Sequence, residues 1–426
     1  MTRCREKTRL GEIGFAQRLV HSDEFGRALG NAPLERFVGA RQRFRGGDLI
    51  GDIEVSRDDP ALRQNRCFLY HVIGNGTGAN PDWTFSANAG TYASRRIYVL
   101  VKRGIYGGQA DINYASFPAE KSLVPRNVAT NKATVSVAGA ETRGGFEHVR
   151  LRIYRNGAPY GSVLTLPLTY SGGQASFAFS PTIDAELAEY EFALSLLVGP
   201  NEVTVRRSKG VVAGDAYLIN GQSNADSQKY NGSAFGYENP FIRTFGMNTS
   251  SPSGTAADHA WRTATGDGSQ DRVGGIGQWA LVMANLMVNQ QGIPVAVING
   301  AHGGQEIGFF QRDEANTESL VTNYGRLLHR VRQAGLQNGL RGAFFYQGEA
   351  AVNGGPVHDL GFREMRGDWM KDYRTLEHTF VFQVREGCDG VARFDLPLRD
   401  VQRRFPDRFS NLSVMASNAL NSHDGC

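Results

Sequence analysis

Five apolar runs in the second half of the chain each end in a polar or glycine-rich loop. They are AYLINGQS (216–223), VAVINGAHGG (295–304), GAFFYQGE (342–349), TFVFQVREG (379–387) and LSVMASNA (412–419). Between several of them lie stretches of helical period. QWALVMANLMVNQQG (278–292) is apolar on most sides and stops at a glycine. LVTNYGRLLHRV (320–331) puts Leu320, Tyr324, Leu327, Leu328 and Val331 on one stripe. A strand without polar alternation needs cover on both faces, and helices between consecutive strands supply it. The pattern predicts an α/β fold over 210–426, a doubly wound parallel sheet. In such sheets ligands bind beyond the carboxyl ends of the strands, and all five loops fall there.

The preceding segment has another period. In HVRLRIYRNG (148–157), Val149, Leu151 and Ile153 share one face before a turn at Asn156-Gly157. ATVSVAG (133–139) alternates, as does EYEFALSLLV (189–198) through Tyr190, Phe192, Leu194 and Leu196. VLTLPLTYSGGQASFAFS (163–180) reads as a strand pair around Gly172-Gly173. Short strands at regular spacing predict an immunoglobulin-like β-sandwich over 129–209, a spacer or packing module rather than a sugar-binding one. Residues 1–128 read as an irregular β-rich region, with strand candidates in CFLYHVIGNGTG (67–78) and RRIYVLVKRGIYGG (95–108).

A chain of 426 residues is too long for one core, which suits this three-part division. Net charge is +4 without a Lys/Arg block, which argues against nucleic acid as the main partner. No apolar run reaches membrane-spanning length. There is no CxxC, no H-E-x-x-H, no Walker motif and no dinucleotide fingerprint, so neither metal nor cofactor is expected. GGIGQ (274–278) is a lone glycine cluster opening a helix, without a clear strand before it, and phosphate binding there is not expected.

The loops at the strand ends carry chemistry. The first offers Ser223, the second His302, Gly303 and Gly304, the third Gln347 and Glu349, and the end of the chain Ser422, His423 and Asp424. A serine hydroxyl attacks a carbonyl only when a base takes its proton. The oxyanion that forms needs preorganised N–H donors, and three candidates are the Ser223 amide, a Gly303 or Gly304 amide, and the Gln347 side chain. A competing reading makes Ser223 a helix N-cap after a strand.

GQSNA (221–225), AHGGQEI (301–307) and YQGEA (346–350), in that order, resemble the blocks of the SGNH hydrolases. They look most like the branch of sialate O-acetylesterases and carbohydrate acetyl esterases. The resemblance implies Ser223 as nucleophile. It implies Gly304 and Gln347 as oxyanion donors beside the Ser223 amide. Asn224, His302 and Gly303 are candidate substrate-binding residues beside them, with His302 either lining the pocket or capping a turn. The resemblance also implies Glu349 or Asp424 as the acid that orients the catalytic histidine. That histidine would stand three residues after Asp424, past Cys426. We therefore expect either that the chain is a piece of a longer protein or that His423, His302 or His358 takes the role.

Asp215 begins the strand that leads to Ser223, roughly 20–25 Å from it, and reads as structural. His358 and Asp359 read as a solvated loop, His329 as surface or packing, His378 as structural, and Trp279 and Phe309 as packing residues. Cys388 and Cys426 either pair as a disulfide or remain two free thiols. The expected activity is hydrolysis of acetyl esters on carbohydrate. The alternative is a catalytically inactive carbohydrate-binding or adhesion protein on a hydrolase fold. Chains of this layout acting on glycans are usually exported, which suggests an extracellular or periplasmic location. The charged N-terminus, without an apolar h-region, points the other way.

Overall fold

The asparagine–glycine turn at 156–157 opens an antiparallel sheet that runs without a break into the candidate site. In the computed structural model, which describes residues 110–228, 234–351, 354–385 and 395–417 and four earlier strands, strand β1 (His148–Arg155) turns back into β2 (Ala158–Pro167). Asn156 and Gly157 have φ of 49° and 82°, the left-handed pair that a two-residue hairpin loop requires. β3 (Tyr190–Val198) pairs antiparallel with β1 and with β4 (Asn201–Gly221). A second sheet holds Ile112–Ser116, Val137–Glu141 and Ala175–Phe179. Val149, Leu151, Phe192 and Leu194 from the first sheet share a core with Val137, Phe177 and Phe179 from the second. The sequence reading of 163–180 as one strand pair around Gly172-Gly173 is corrected: the two strands there take different partners. Ala158–Pro167 pairs with β1 and Ala175–Phe179 with Val137–Glu141, so the chain crosses between sheets there. The four earlier strands, Leu49–Ile53, Phe68–Asn75, Asp82–Ala89 and Ile97–Val101, form two antiparallel pairs.

β4 is longer than the apolar run that reveals it. Its first half alternates in exposure, whereas Val211–Gly221 is buried throughout. The first pattern suits a sheet covered on one face, the second a sheet covered on both. The expected boundary at 209/210 thus falls inside one continuous strand. Past that point β4 has parallel neighbours on both sides, β7 (Val295–Asn299) and β8 (Leu340–Tyr346). Outside β7 lie β5 (Ile242–Phe245) and the antiparallel edge β6 (Trp261–Thr263). Outside β8 lie β9 (His378–Gln383) and β10 (Leu412–Ala416), both parallel. The chain fills one side of β4 first and then the other, so the order reverses at β4, where such sheets open a crevice.

Alternate residues of β4 face different cores. Ala216 and Leu218 join Leu327, Leu328 and Val331 of helix α3 (Asn323–Gln333) and Phe362, Met365 and Trp369 of α4 (Gly354–Asp372). Tyr217 and Ile219 join Ala280, Leu281, Ala284 and Val288 of α2 (Gln278–Gln291). The molecule is thus a mixed α/β structure built on one large sheet. α2 ends at Gly292, left-handed with φ of 68°. α3 starts later than its stripe predicts, because the Thr322 side chain caps it by accepting the Gly325 N–H at 3.0 Å.

Asp215, at the other end of this half of β4, is 2% exposed and held in a two-pronged ion pair by Arg126, at 2.9 and 2.8 Å. That is the structural role expected of it. His358 corrects the sequence reading. It lies on α4, completely buried between Phe345 and Phe405, rather than in a solvated loop. Gly354-Gly355-Pro356, a sequence that favours a turn, form the first turn of α4 here. Proline is tolerated there because its missing N–H has no partner to lose.

Candidate active site

β4 ends by pressing on β8. The amide of Gln222 donates to the Tyr346 carbonyl at 2.9 Å. The Gln222 side chain is buried, and its Oε1 accepts the N–H groups of Gly348 (3.2 Å) and Ala350 (3.1 Å) and lies 3.4 Å from Gln347 Nε2. The loop after β8 is therefore hung on the residue before Ser223.

Ser223 opens the short helical turn α1 (Ser223–Asp226). The N-cap position belongs to Gln222, and its side chain makes no capping bond, so Ser223 is not the N-cap. The amides of Ala225 and Asp226 donate to the Gln222 carbonyl at 2.9 and 2.8 Å, and Ser227 donates to the Ser223 carbonyl at 2.8 Å. Among the described residues the Ser223 amide has no acceptor, as expected of a first-turn N–H. Ser223 is half-buried, while Gln222, Asn224, Ala225 and Asp226 are buried.

The loop after β7 lies across this turn. The His302 amide donates to the Gly221 carbonyl at 2.8 Å. A Cβ on Gly303 would stand 3.6 Å from Ser223 Cβ, so Gly303 packs directly against the serine. The Gly303 N–H is engaged by Asp226 Oδ2 at 3.0 Å. Gly304 is exposed, has φ of 70°, and its amide has no acceptor among the described residues. Gln347, fully buried, donates from Nε2 to the Gln305 carbonyl at 3.0 Å, which ties the third loop to the second.

The flanking polar groups are also placed. Asn224 Nδ2 donates to Glu349 Oε1 at 2.9 Å, and Trp279 Nε1 donates to the Asn224 carbonyl at 2.9 Å. The Trp279 ring packs against Phe344 and Phe382. His302 Nδ1 lies 3.3 Å from Ser250 Oγ, and its ring centroid is 5.0 Å from that of Phe309. Burial, and then the Arg326 charge, hold the His302 pKa below the usual histidine range, which favours the neutral imidazole.

Three sequence blocks thus converge on Ser223. His423, Asp424, Cys388 and Cys426 lie outside the described residues. Among the described residues, no three of His, Cys, Asp and Glu gather to hold a metal ion. The sequence reading missed Gln222 as the organiser of the third loop and Asp226 as the partner of Gly303. It also missed Asn299, whose Nδ2 donates to the Ala225 and Ile276 carbonyls at 3.1 and 2.8 Å. One signal was available: an acid three residues after Ser223 falls on the same face of a helical turn. Gly277, in the glycine cluster set aside as a phosphate loop, and Gly268 upstream of it have a packing role here. A Cβ on Gly268 would stand 1.6 Å from the Asp226 carbonyl oxygen, and one on Gly277 would stand 2.9 Å from it.

Residues 213–357 match the family model described as carbohydrate esterase, sialic acid-specific acetylesterase. No protein of curated function matches the chain. Among solved structures, a carbohydrate acetylesterase from Xanthomonas citri is similar over 72% of this chain and 68% of its own, at 16% identity and a TM-score of 0.47. A protein from Arabidopsis thaliana is similar over 49% of this chain and 87% of its own, at 17% identity and a TM-score of 0.38. The matched segment, about a third of the chain, holds GQSNA, AHGGQEI and YQGEA, the three blocks whose loops gather around Ser223.

Proposed function

We propose that the protein is a serine esterase that removes O-acetyl groups from carbohydrate, with Ser223 as the nucleophile. The observation that carries this reading is the contact between Gly303 and Ser223, with the neighbouring Gly304 amide and the Ser223 amide both without an acceptor among the described residues. Ser223 Oγ attacks the acetyl carbonyl carbon. The carbonyl oxygen becomes an oxyanion held by the amides of Ser223 and Gly304. Gln347 adds a third donor by turning Nε2 from the Gln305 carbonyl. Each such donor is worth about 3–4 kcal/mol to the transition state. A histidine takes the serine proton and passes it to the departing sugar oxygen, leaving an acetyl-serine. Water, activated by the same histidine, then releases acetate and restores the hydroxyl.

The base and its acid come from the family resemblance, with Asp424, Glu349 or both orienting the imidazole. The Asn224 bond to Glu349 supports a fixed carboxylate at that place. Asn224, His302 and Gly303 border the serine on the substrate side, where a sugar ring would lie. The reading includes a doubly wound hydrolase unit, an immunoglobulin-like module before it, and action on exported glycans such as sialic acids or acetylated polysaccharides.

The test is hydrolysis of an aryl acetate and release of acetate from acetylated sugars by the full chain and by Ser223→Ala. Loss of both activities in the variant, with an unchanged melting curve, is the expected result. Equal rates would remove Ser223 from the mechanism, and sugar binding without any hydrolysis would favour a lectin-like protein. The panel of acetylated sugars identifies the substrate.

A further inference from the structure

Asp226 is a fully buried carboxyl with no cation against it among the described residues. Its Oδ2 accepts the Gly303 N–H at 3.0 Å, and its Oδ1 lies 3.3 Å from Gln270 Nε2. The same Gln270 nitrogen donates to the Ala301 carbonyl at 2.9 Å, and Asn248 Nδ2 donates to that carbonyl at 2.8 Å. The segment 301–303 is therefore gripped at both ends from one side, and the grip originates on the turn that carries Ser223. Gly268 and Gly277 pack without side chains on the Asp226 backbone and fix that turn from behind.

We propose that Asp226 is a positioning residue: by engaging the Gly303 N–H it orients the next peptide, so that the Gly304 N–H points at the oxyanion formed on Ser223. The proposal rests on the esterase reading. Two physical points support it. Gly304 is exposed with a left-handed backbone, so without an anchor on its neighbour its amide direction would be free to vary. A buried carboxyl that faces neutral donors (the Gly303 N–H and the Gln270 and Gln228 side chains) is also a costly choice where packing alone would be served by an apolar residue. Desolvation pushes its pKa up to about 7, and such costs concentrate at functional sites.

Asp226→Asn keeps the shape but sets an amide NH2 against Gln270 Nε2 or the Gly303 N–H. Gln270→Ala removes the second grip and leaves the carboxyl in place. Three measurements are made on each full-chain variant and on wild type: kcat and KM for an aryl acetate per fluorophosphonate-titrated site, hydrogen exchange of peptides covering 300–305, and the melting curve. We expect kcat to fall about 10–100-fold for Asp226→Asn, and less for Gln270→Ala, with KM little changed and faster exchange at 300–305. Because kcat is counted per reactive serine, a merely structural role would lower the titrated fraction and leave kcat alone. Unchanged exchange at 300–305, or unchanged kcat alongside Ser223-dependent hydrolysis by wild type, overturns the proposal. Hydrolysis that survives Ser223→Ala overturns the esterase reading itself, and the proposal with it.

Discussion

Gly221 stands so close to Tyr346 that a Cβ in its place would lie 2.0 Å from the Tyr346 carbonyl oxygen. Its φ of 132° is also outside the range that side chains adopt readily. This approach lets the Gln222 amide reach the same carbonyl at 2.9 Å, and so sets Ser223 beside the loop that carries Gln347 and Glu349. Gly221→Ala would have to push β4 and β8 apart. We expect a loss of about 3 kcal/mol or more in urea unfolding, from overpacking and backbone strain together. A loss below about 1 kcal/mol would mean that the two strands do not approach as described.

Gln222 is the second tie between the two strand tips. Its Oε1 accepts from two backbone amides, Gly348 and Ala350, and faces Gln347 Nε2. Gln222→Ala strands these donors in a buried place, at about 1–3 kcal/mol for each group left unsatisfied. The expected outcome is a stability loss of about 2–4 kcal/mol and a fall in kcat, because the loop bearing Gln347 loses its anchor. Calorimetry and steady-state kinetics on the same preparation check both.

Gly303 separates function from stability. A Cβ there meets Ser223 Cβ at 3.6 Å and Asp226 Oδ2 at 3.7 Å, ordinary contact distances. Gly303→Ala is therefore expected to fold, with a melting temperature within a few degrees of wild type. The new methyl crowds the place where an acetyl group must approach Ser223. We expect kcat/KM to fall about 10-fold or more. A variant as active as wild type would argue that the substrate does not pass this glycine.

The strand-end loops were legible because their signal is local. An apolar run that stops at GQS or GAHGG announces a buried strand and a polar tip; in the structure Gly303 packs on Ser223, and Gln347 reaches Gln222 and the Gln305 carbonyl. The long strand was not legible, because Asn201–Gly221 changes burial pattern midway and reads as two elements. The partners of the strands around Gly172-Gly173 were hidden for a similar reason: a turn signal does not say whether the next strand returns to the same sheet. Asp226 and Gln270 escaped notice because their meaning lies in contacts 77 and 31 residues away along the chain, to Gly303 and to Ala301. His358 was misplaced because Gly-Gly-Pro served as a helix start rather than a loop.

His358 makes the fold sensitive to acid. It is fully buried on α4, stacked on Phe405, with Nε2 3.4 Å from Gln402 Nε2. Burial lowers its pKa to about 4, and the nearby Asp359 only partly offsets this. An unfolded chain leaves a histidine near 6.5. As pH falls from about 6.5 to about 4, the unfolded state takes up the proton first, so this residue's contribution to stability is full above that window and is lost within it. The loss amounts to at most about 3 kcal/mol. Asp226 works in the opposite sense, because a carboxyl raised to about 7 makes the fold lose stability as pH rises from about 4 to about 7. The neutral substitution His358→Gln isolates the first effect. Between pH 7 and pH 4.5 the melting temperature of wild type should fall further than that of the variant, and parallel curves would show that the histidine does not titrate as its burial requires.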